Sequence, residues 1–205
     1  MEFELIKNKS DYKKYLMADK KALNIKSRFP RPIVDDIWRF ERILRKLEYY
    51  LNCKKGFFNK IYILYIKYRF HKISKSLGFD IPVNVFGPGL SIAHRGTIVV
   101  NGKARVGKNC RLHACTNIGT ANDNFAQVPQ IGDNVYIGPG AKIYGDIIIA
   151  DGIAIGANSV VNKSFIIPNK TIAGVPAKMI NNNGSENLLF PSMLSNKTDE
   201  WNFDK

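Results

Sequence analysis

Residues 131–155, IGDNVYIGPGAKIYGDIIIADGIAI, decide the fold. An isoleucine returns every sixth residue, at Ile131, Ile137, Ile143, Ile149 and Ile155, and Val135, Ala141, Ile147 and Ile153 stand four places after the first four of them. A helix repeats every 3.6 residues and a strand every 2, so a period of six fits neither element alone. It fits a solenoid in which each hexad makes one short flat strand and one corner, and three hexads close a triangular coil of about 18 residues. One such coil cannot bury its own apolar face, so successive coils must stack at the strand spacing of about 4.8 Å.

Outward from this stretch the beat runs back through Phe86, Ile92 and Ile98, then Val106, Leu112 and Ile118, and forward to Val161 and Ile167. Small or apolar residues again follow four places later, among them Leu90, Cys110, Thr116 and Ser159. Glycine and asparagine mark the corners, as at Gly107, Asn109, Gly138, Gly140 and Asn158, where positive φ is cheap for these residue types. Two insertions interrupt the beat: a small one between Val99 and Ala104, and a loop through 120–126 that adds surface on one face without disturbing the stack. Spacing alone does not fix the hand of the coil.

Before residue 80 the pattern changes. The segments 10–23, 33–51 and 57–77 read as helices, with Ile33, Ile37, Phe40, Leu44, Leu47 and Leu51 tracing one apolar face. Asp35 and Asp36 fall in the first turn of the second, where negative charge is favoured, after the break at Pro30 and Pro32. The expected organisation is a helical domain over 1–80, the solenoid over 81–180, and a tail over 181–205.

The formal net charge of +14 is concentrated in the helical part, where residues 1–80 hold 20 Lys/Arg against 9 Asp/Glu. That balance suits an anionic membrane face or a pyrophosphate-linked carrier as well as a solvated surface, and peripheral membrane contact is one expectation. The apolar run 61–66 is far shorter than the roughly 20 residues of a span. No nucleic-acid motif accompanies the charge, so nucleic acid is not an expected partner. Cys53, Cys110 and Cys115 lack metal spacing, and an odd count with no secretory segment suggests reduced thiols and a cytoplasmic location.

Four segments carry a resemblance: FGPGLSIAHRGTIVV (86–100), NIGT (117–120), PQIGDNVYIGPGAK (129–142) and AGVPAK (173–178). Together they resemble the serine acetyltransferase branch of the hexapeptide-repeat acyltransferases, over residues 80–180. A shorter stretch, YLMADKKAL (15–23), is similar to segments of serine acetyltransferase-like proteins from polysaccharide loci. The resemblance implies a mainly β fold, a left-handed parallel β-helix with an N-terminal α-helical domain. It also implies a homotrimer, with the N-terminal helices available to pair trimers, and acetyl transfer from acetyl-CoA, without a metal, at clefts between subunits.

Such transfer needs a base for the hydroxyl proton, donors for the oxyanion and a slot for pantetheine. Histidine titrates nearest working pH, and the chain has three. His71 lies in a basic helical pattern and reads as a surface residue; His113 reads as a corner residue. His94 lies in the stretch that the resemblance marks as the base, with Asp80 as the orienting carboxylate, although Asp80 also reads as a cap on the junction. The resemblance further assigns acetyl-CoA binding to Gly119, Pro139, Ala157 and Lys178, each of which also has an ordinary packing or surface reading. Asp19, Asn122 and Phe125 are candidates for the acceptor site. Three histidines would be needed for a zinc site in this solenoid, which holds only His94 and His113.

Relatives that acetylate serine carry an aspartate before the histidine and a basic pair before the proline of the Pro-x-Ile element. Here those places hold Ala93 and Gln127 with Val128. A site without those charges is expected to grip an amino acid poorly, which favours a sugar hydroxyl of a surface-polysaccharide precursor as acceptor. Free L-serine is the alternative, followed by an amino sugar and by a non-catalytic trimeric scaffold.

Overall fold

A computed structural model of the chain describes residues 3–121 and 127–194. Three helices come first: α1 (Lys9–Ala22), α2 (Asp36–Cys53) and α3 (Phe57–Leu77). Short strands follow as β1 (Phe79–Asp80), β2 (Ser91–Ile92), β3 (Ile98–Val100), β4 (Arg105–Val106), β5 (Arg111–Leu112), β6 (Asn117–Gly119) and β7 (Gln130–Ile131). The series continues with β8 (Tyr136–Ile137), β9 (Lys142–Tyr144), β10 (Ile148–Ile149), β11 (Ala154–Ile155), β12 (Val160–Val161), β13 (Thr171–Gly174) and β14 (Ala177–Asn181), before α4 (Pro191–Leu194).

The strands form three parallel faces in the orders β1-β3-β6-β9-β12, β10-β7-β4 and β2-β5-β8-β11-β13, with β14 added antiparallel to the last. This is a left-handed parallel β-helix with an N-terminal helical region. Register stacks Ile92 on Leu112, Leu112 on Ile137, Ile137 on Ile155 and Ile155 on Ile172. All the beat positions from Phe86 to Val161 are buried, as the period predicts. Asn109, Asn134, Asn158 and Asn169 take φ between 54° and 57° at corners, the left-handed conformation that asparagine tolerates.

The beat fails at its last step. Ile167 is 58% exposed, and Ile172 takes the inward place instead. Phe165 bridges Ile149 and packs on the core, so this coil closes with fewer residues and Ile166 and Ile167 turn outward ahead of Pro168. The expected helices form, α3 over the residues read for it and α1 and α2 with shifted bounds. Ile33 lies before α2 and is exposed, because the helix begins only at Asp36, while Phe40 and Leu44 join the solenoid core.

A stacked solenoid leaves the backbone groups of its first coil without a neighbouring rung, and buried polar groups of that kind must find partners. Side chains of α1 and α2 supply them. Arg45 donates to the carbonyls of Phe86 and Gly87 at 2.8 and 2.7 Å. Asp19 accepts from the Gly89 and Leu90 amides at 2.8 and 3.0 Å, and Glu48 accepts from the Asn84 amide at 2.7 Å. Arg45 is tied in turn to Asp19 at 2.7 Å and to Glu48 at 3.0 Å.

Glu41 completes this lid. One carboxylate oxygen accepts from the Ile92 amide at 3.3 Å and the other has no partner. Burial, and then the charge of Asp19, push its carboxyl well above the usual range, so the folded chain holds a proton that the unfolded chain releases. The folded state therefore loses stability as pH rises above the unfolded carboxyl value. Glu41→Gln keeps the neutral form at every pH. Its thermal midpoint is expected to gain on that of the parent between about pH 5 and about pH 8, and a constant difference would contradict the protonated carboxyl.

The C-terminal segment folds back along the six-stranded face. Phe190 lies 4.3 Å from the Arg111 guanidinium, and together with Tyr136 it packs against a small cluster of Leu189, Met193 and Ala22 of α1. Among the described residues, no helix is long and apolar enough to cross a membrane.

Candidate functional site

The register sets the site. Because Ile92 pairs with Leu112, Ile137 and Ile155 in turn, the residues two places on, His94, Ala114, Pro139 and Ala157, form one column on the corner between the six-stranded and five-stranded faces. Backbone bonds stitch this corner: Gly140 donates to the Ala114 carbonyl at 3.0 Å and Asn158 to the Pro139 carbonyl at 2.8 Å. Gly138 is required here, since an added Cβ would lie 2.7 Å from the Ile155 carbonyl oxygen. Lys178 lies opposite Ala173 in the β13–β14 hairpin, at the far end of the same corner. Four coil intervals separate the levels of Ile92 and Ile172, roughly 19 Å at the strand spacing.

His94 is exposed, and its ring lies 6.4 Å from that of His113. His113 stands one coil above Ala93, a place the beat at Leu112 marks, and sequence reasoning undervalues it. Its Nδ1 lies 3.0 Å from the Ile137 carbonyl, which fixes Nδ1–H as the donor in the neutral ring, and its ring packs on Tyr136 with centroids 4.8 Å apart. Burial lowers its pKa, so His113 is neutral at pH 7 with Nε2 as an acceptor. Cys110 is buried in the core, and burial pushes its thiol up to about 12, which removes it as a nucleophile.

Asp80 is exposed on β1, paired with Val99 across the five-stranded face, and among the described residues no hydrogen bond or ion pair joins it to His94. Asp19 needs correction as an acceptor ligand. It is 1% exposed and fully engaged with Arg45, Gly89 and Leu90, so it belongs to the lid of the solenoid. Asn122 and Phe125 lie outside the described residues.

One cleft adjoins this corner and a second lies away from it. The first, of about 530 Å³, reaches Ala93, the neighbour of His94, and is lined by Lys26, Ser27, Arg31, Asp35 and Trp38 of the helical region. Arg31 holds Asp35 in a two-pronged pair at 2.9 and 3.0 Å, which lowers the Asp35 carboxyl. On the other side of His94, Arg95 pairs with Asp36 of α2 at 2.7 Å. The second cleft, of about 470 Å³, lies on the five-stranded face and is lined by Val99, Asn117, Gly119, Thr120, Lys142 and Tyr144. A Cβ added at Gly119 meets no atom within 4 Å, so packing in this chain does not demand glycine there. One chain places Gly119 on the face and Pro139 and Ala157 on the corner, and does not close a slot around all three.

Residues 129–163 match the family described as bacterial transferase hexapeptide (six repeats). The chain is 37% identical over 125 residues to serine acetyltransferase of Salmonella typhimurium, covering 60% of this chain and 44% of that protein. It is 36% identical over 110 residues to the serine acetyltransferase of Staphylococcus xylosus, covering 52% and 50%. The chain thus spans about half the length of these curated relatives. Its fold is similar to that of serine acetyltransferase in complex with coenzyme A from Brucella abortus, at 26% identity and a TM-score of 0.66 over 86% of this chain and 70% of that one. The Neisseria gonorrhoeae serine acetyltransferase gives 26% and 0.65 over 85% and 68%.

These relatives overturn the expectation of a polysaccharide acceptor, because the proteins matched are serine acetyltransferases. The physical flaw in that expectation lies in its premise. Charges absent at Ala93, Gln127 and Val128 do not empty the site of charge, since Lys26, Arg31 and Asp35 line the cleft beside Ala93 from a different segment. The repeat match, the stacked register and the likeness to these structures together make the chain similar, in sequence over 129–163 and in fold over most of its length, to hexapeptide-repeat transferases and to serine acetyltransferases among them.

Proposed function

We propose that this chain is an acetyl-CoA-dependent O-acetyltransferase whose acceptor is free L-serine. The observation that carries the reading is the exposed His94 at the head of a corner column, beside a cleft that offers both signs of charge. The carboxylate of an amino acid suits Lys26 of this cleft, beside the mutually paired Arg31 and Asp35. His94 takes the proton of the serine hydroxyl as its oxygen attacks the thioester carbonyl; the carbon–sulfur bond then breaks and the thiolate leaves, to be protonated. Backbone amides at the corner stabilise the oxyanion, and Asp80 is the carboxylate assigned to orient the imidazolium.

The roughly 19 Å between the levels of His94 and Lys178 suits an extended pantetheine arm, with Lys178 near the nucleotide phosphates. The arm is assigned to a cleft between Pro139 and Ala157 of one subunit and Gly119 of the next, an arrangement that a homotrimer supplies. Gly119→Leu fills the open cleft without strain, so it is expected to raise KM for acetyl-CoA by about tenfold and leave the thermal midpoint in place. An unchanged KM would remove Gly119 from the arm's path. The acceptor is tested by incubating the protein with L-serine and acetyl-CoA labelled with carbon-13 in the acetyl group. An ester carbonyl resonance attached to serine supports the reading, and label confined to acetyl-CoA and free acetate defeats it.

A further inference from the structure

The helix α3 is apolar on two opposite sides. Its inner side sets Ile66, Phe70, Ile73 and Leu77 against the rest of the protein, and Leu77 is part of the solenoid core. Its outer side carries Phe57, Phe58, Ile61, Leu64, Tyr65 and Tyr68 at helical spacing, all more than half exposed, and Phe58 is 85% exposed. No packing need within the chain explains six large apolar residues in one outward stripe.

The charge around the stripe is of one sign. Residues 54–79 contain seven Lys/Arg and no Asp or Glu, with Lys54 and Lys55 just before the helix and Lys60, Lys67, Arg69, Lys72 and Lys75 along it. Phe57 and Phe58 stand at the free tip of the helix, farthest along it from the junction with the solenoid at Gly78. An aromatic, apolar face bordered by lysines is the pattern of a helix that lies in a lipid interface, where the rings enter the headgroup boundary and the basic ends reach the phosphates. Two copies of α3 packed face to face would instead bring seven bases of each against those of the other, with no acid in either segment to offset them.

We propose that the outer face of α3 docks on the surface of an anionic phospholipid bilayer. Contact is in the plane of the interface, since no helix of the described residues is long and apolar enough to cross. The proposal is independent of the acetyl acceptor.

The test is co-sedimentation of the full chain with vesicles of phosphatidylcholine alone and of phosphatidylcholine with about one third phosphatidylglycerol. The expected result is binding to the anionic vesicles only, weakened by added salt. Phe57→Ser with Phe58→Ser, and separately Lys60→Glu with Lys67→Glu, should each lower the vesicle affinity by about tenfold or more without moving the thermal midpoint or the mass in light scattering. Equal binding to both vesicles, or none to either, overturns the proposal. So does a fall in mass on Phe57→Ser with Phe58→Ser in a protein that ignores vesicles, which would assign the stripe to a second copy of the chain.

Discussion

His94→Ala is expected to lower the rate of acetyl transfer by about 10²- to 10⁴-fold, the usual contribution of a positioned general base. The thermal midpoint should not move with it. His94 is exposed and holds no backbone group of the coil, and surface changes of that kind stay within about 0.5 kcal/mol. His113 gives the contrast. Its Nδ1 is bonded to the Ile137 carbonyl and its ring packs on Tyr136, so His113→Ala should lower stability as well as rate. Retention of most of the rate in His94→Ala would remove the proposed base and with it the role of the corner column.

The second large effect is structural. Arg45→Ala is expected to destabilise the fold by about 3–5 kcal/mol, because it leaves Asp19 and Glu48 as buried carboxylates without their cation. It also strips the Phe86 and Gly87 carbonyls of their donors at the open end of the solenoid. In a chain of this size that loss lowers the thermal midpoint by about 6–20 °C. Arg31→Ala is the comparison: its guanidinium is largely solvent-exposed and holds no carbonyl of the first coil, so its loss should lower the midpoint less than that of Arg45. Equal midpoints for the two variants would mean that the lid does not hold the first coil.

The beat of six makes the solenoid and most of its core legible in the amino-acid sequence, because stacking forces an inward residue at each repeat and neither a lone helix nor a lone strand produces that period. It misleads at Ile167, where Phe165 fills the interior and shortens the coil. The helices are legible from Phe40 and Leu44, but the reach of Asp19 and Arg45 into the first coil is not. Those contacts join residues 41 to 71 places apart, and no local pattern records that a backbone amide elsewhere lacks a partner.

The site is legible in part. His94, Pro139 and Ala157 fall on one column because all are fixed by the beat. His113 is easily undervalued, although Leu112 gives its place. The acceptor is misread when Ala93 and the pair at Gln127 and Val128 stand for the whole charge of the pocket. Arg31 and Asp35 approach Ala93 only through the fold of the connection between α1 and α2, which carries no repeat to read.

Thiol release from acetyl-CoA by the purified protein identifies the acceptor, with L-serine compared against nucleotide sugars, oligosaccharides and no acceptor. Saturable stimulation by L-serine alone is expected, lowered about 10²- to 10⁴-fold in His94→Ala. Stimulation by a saccharide with none by L-serine would contradict serine as the acceptor.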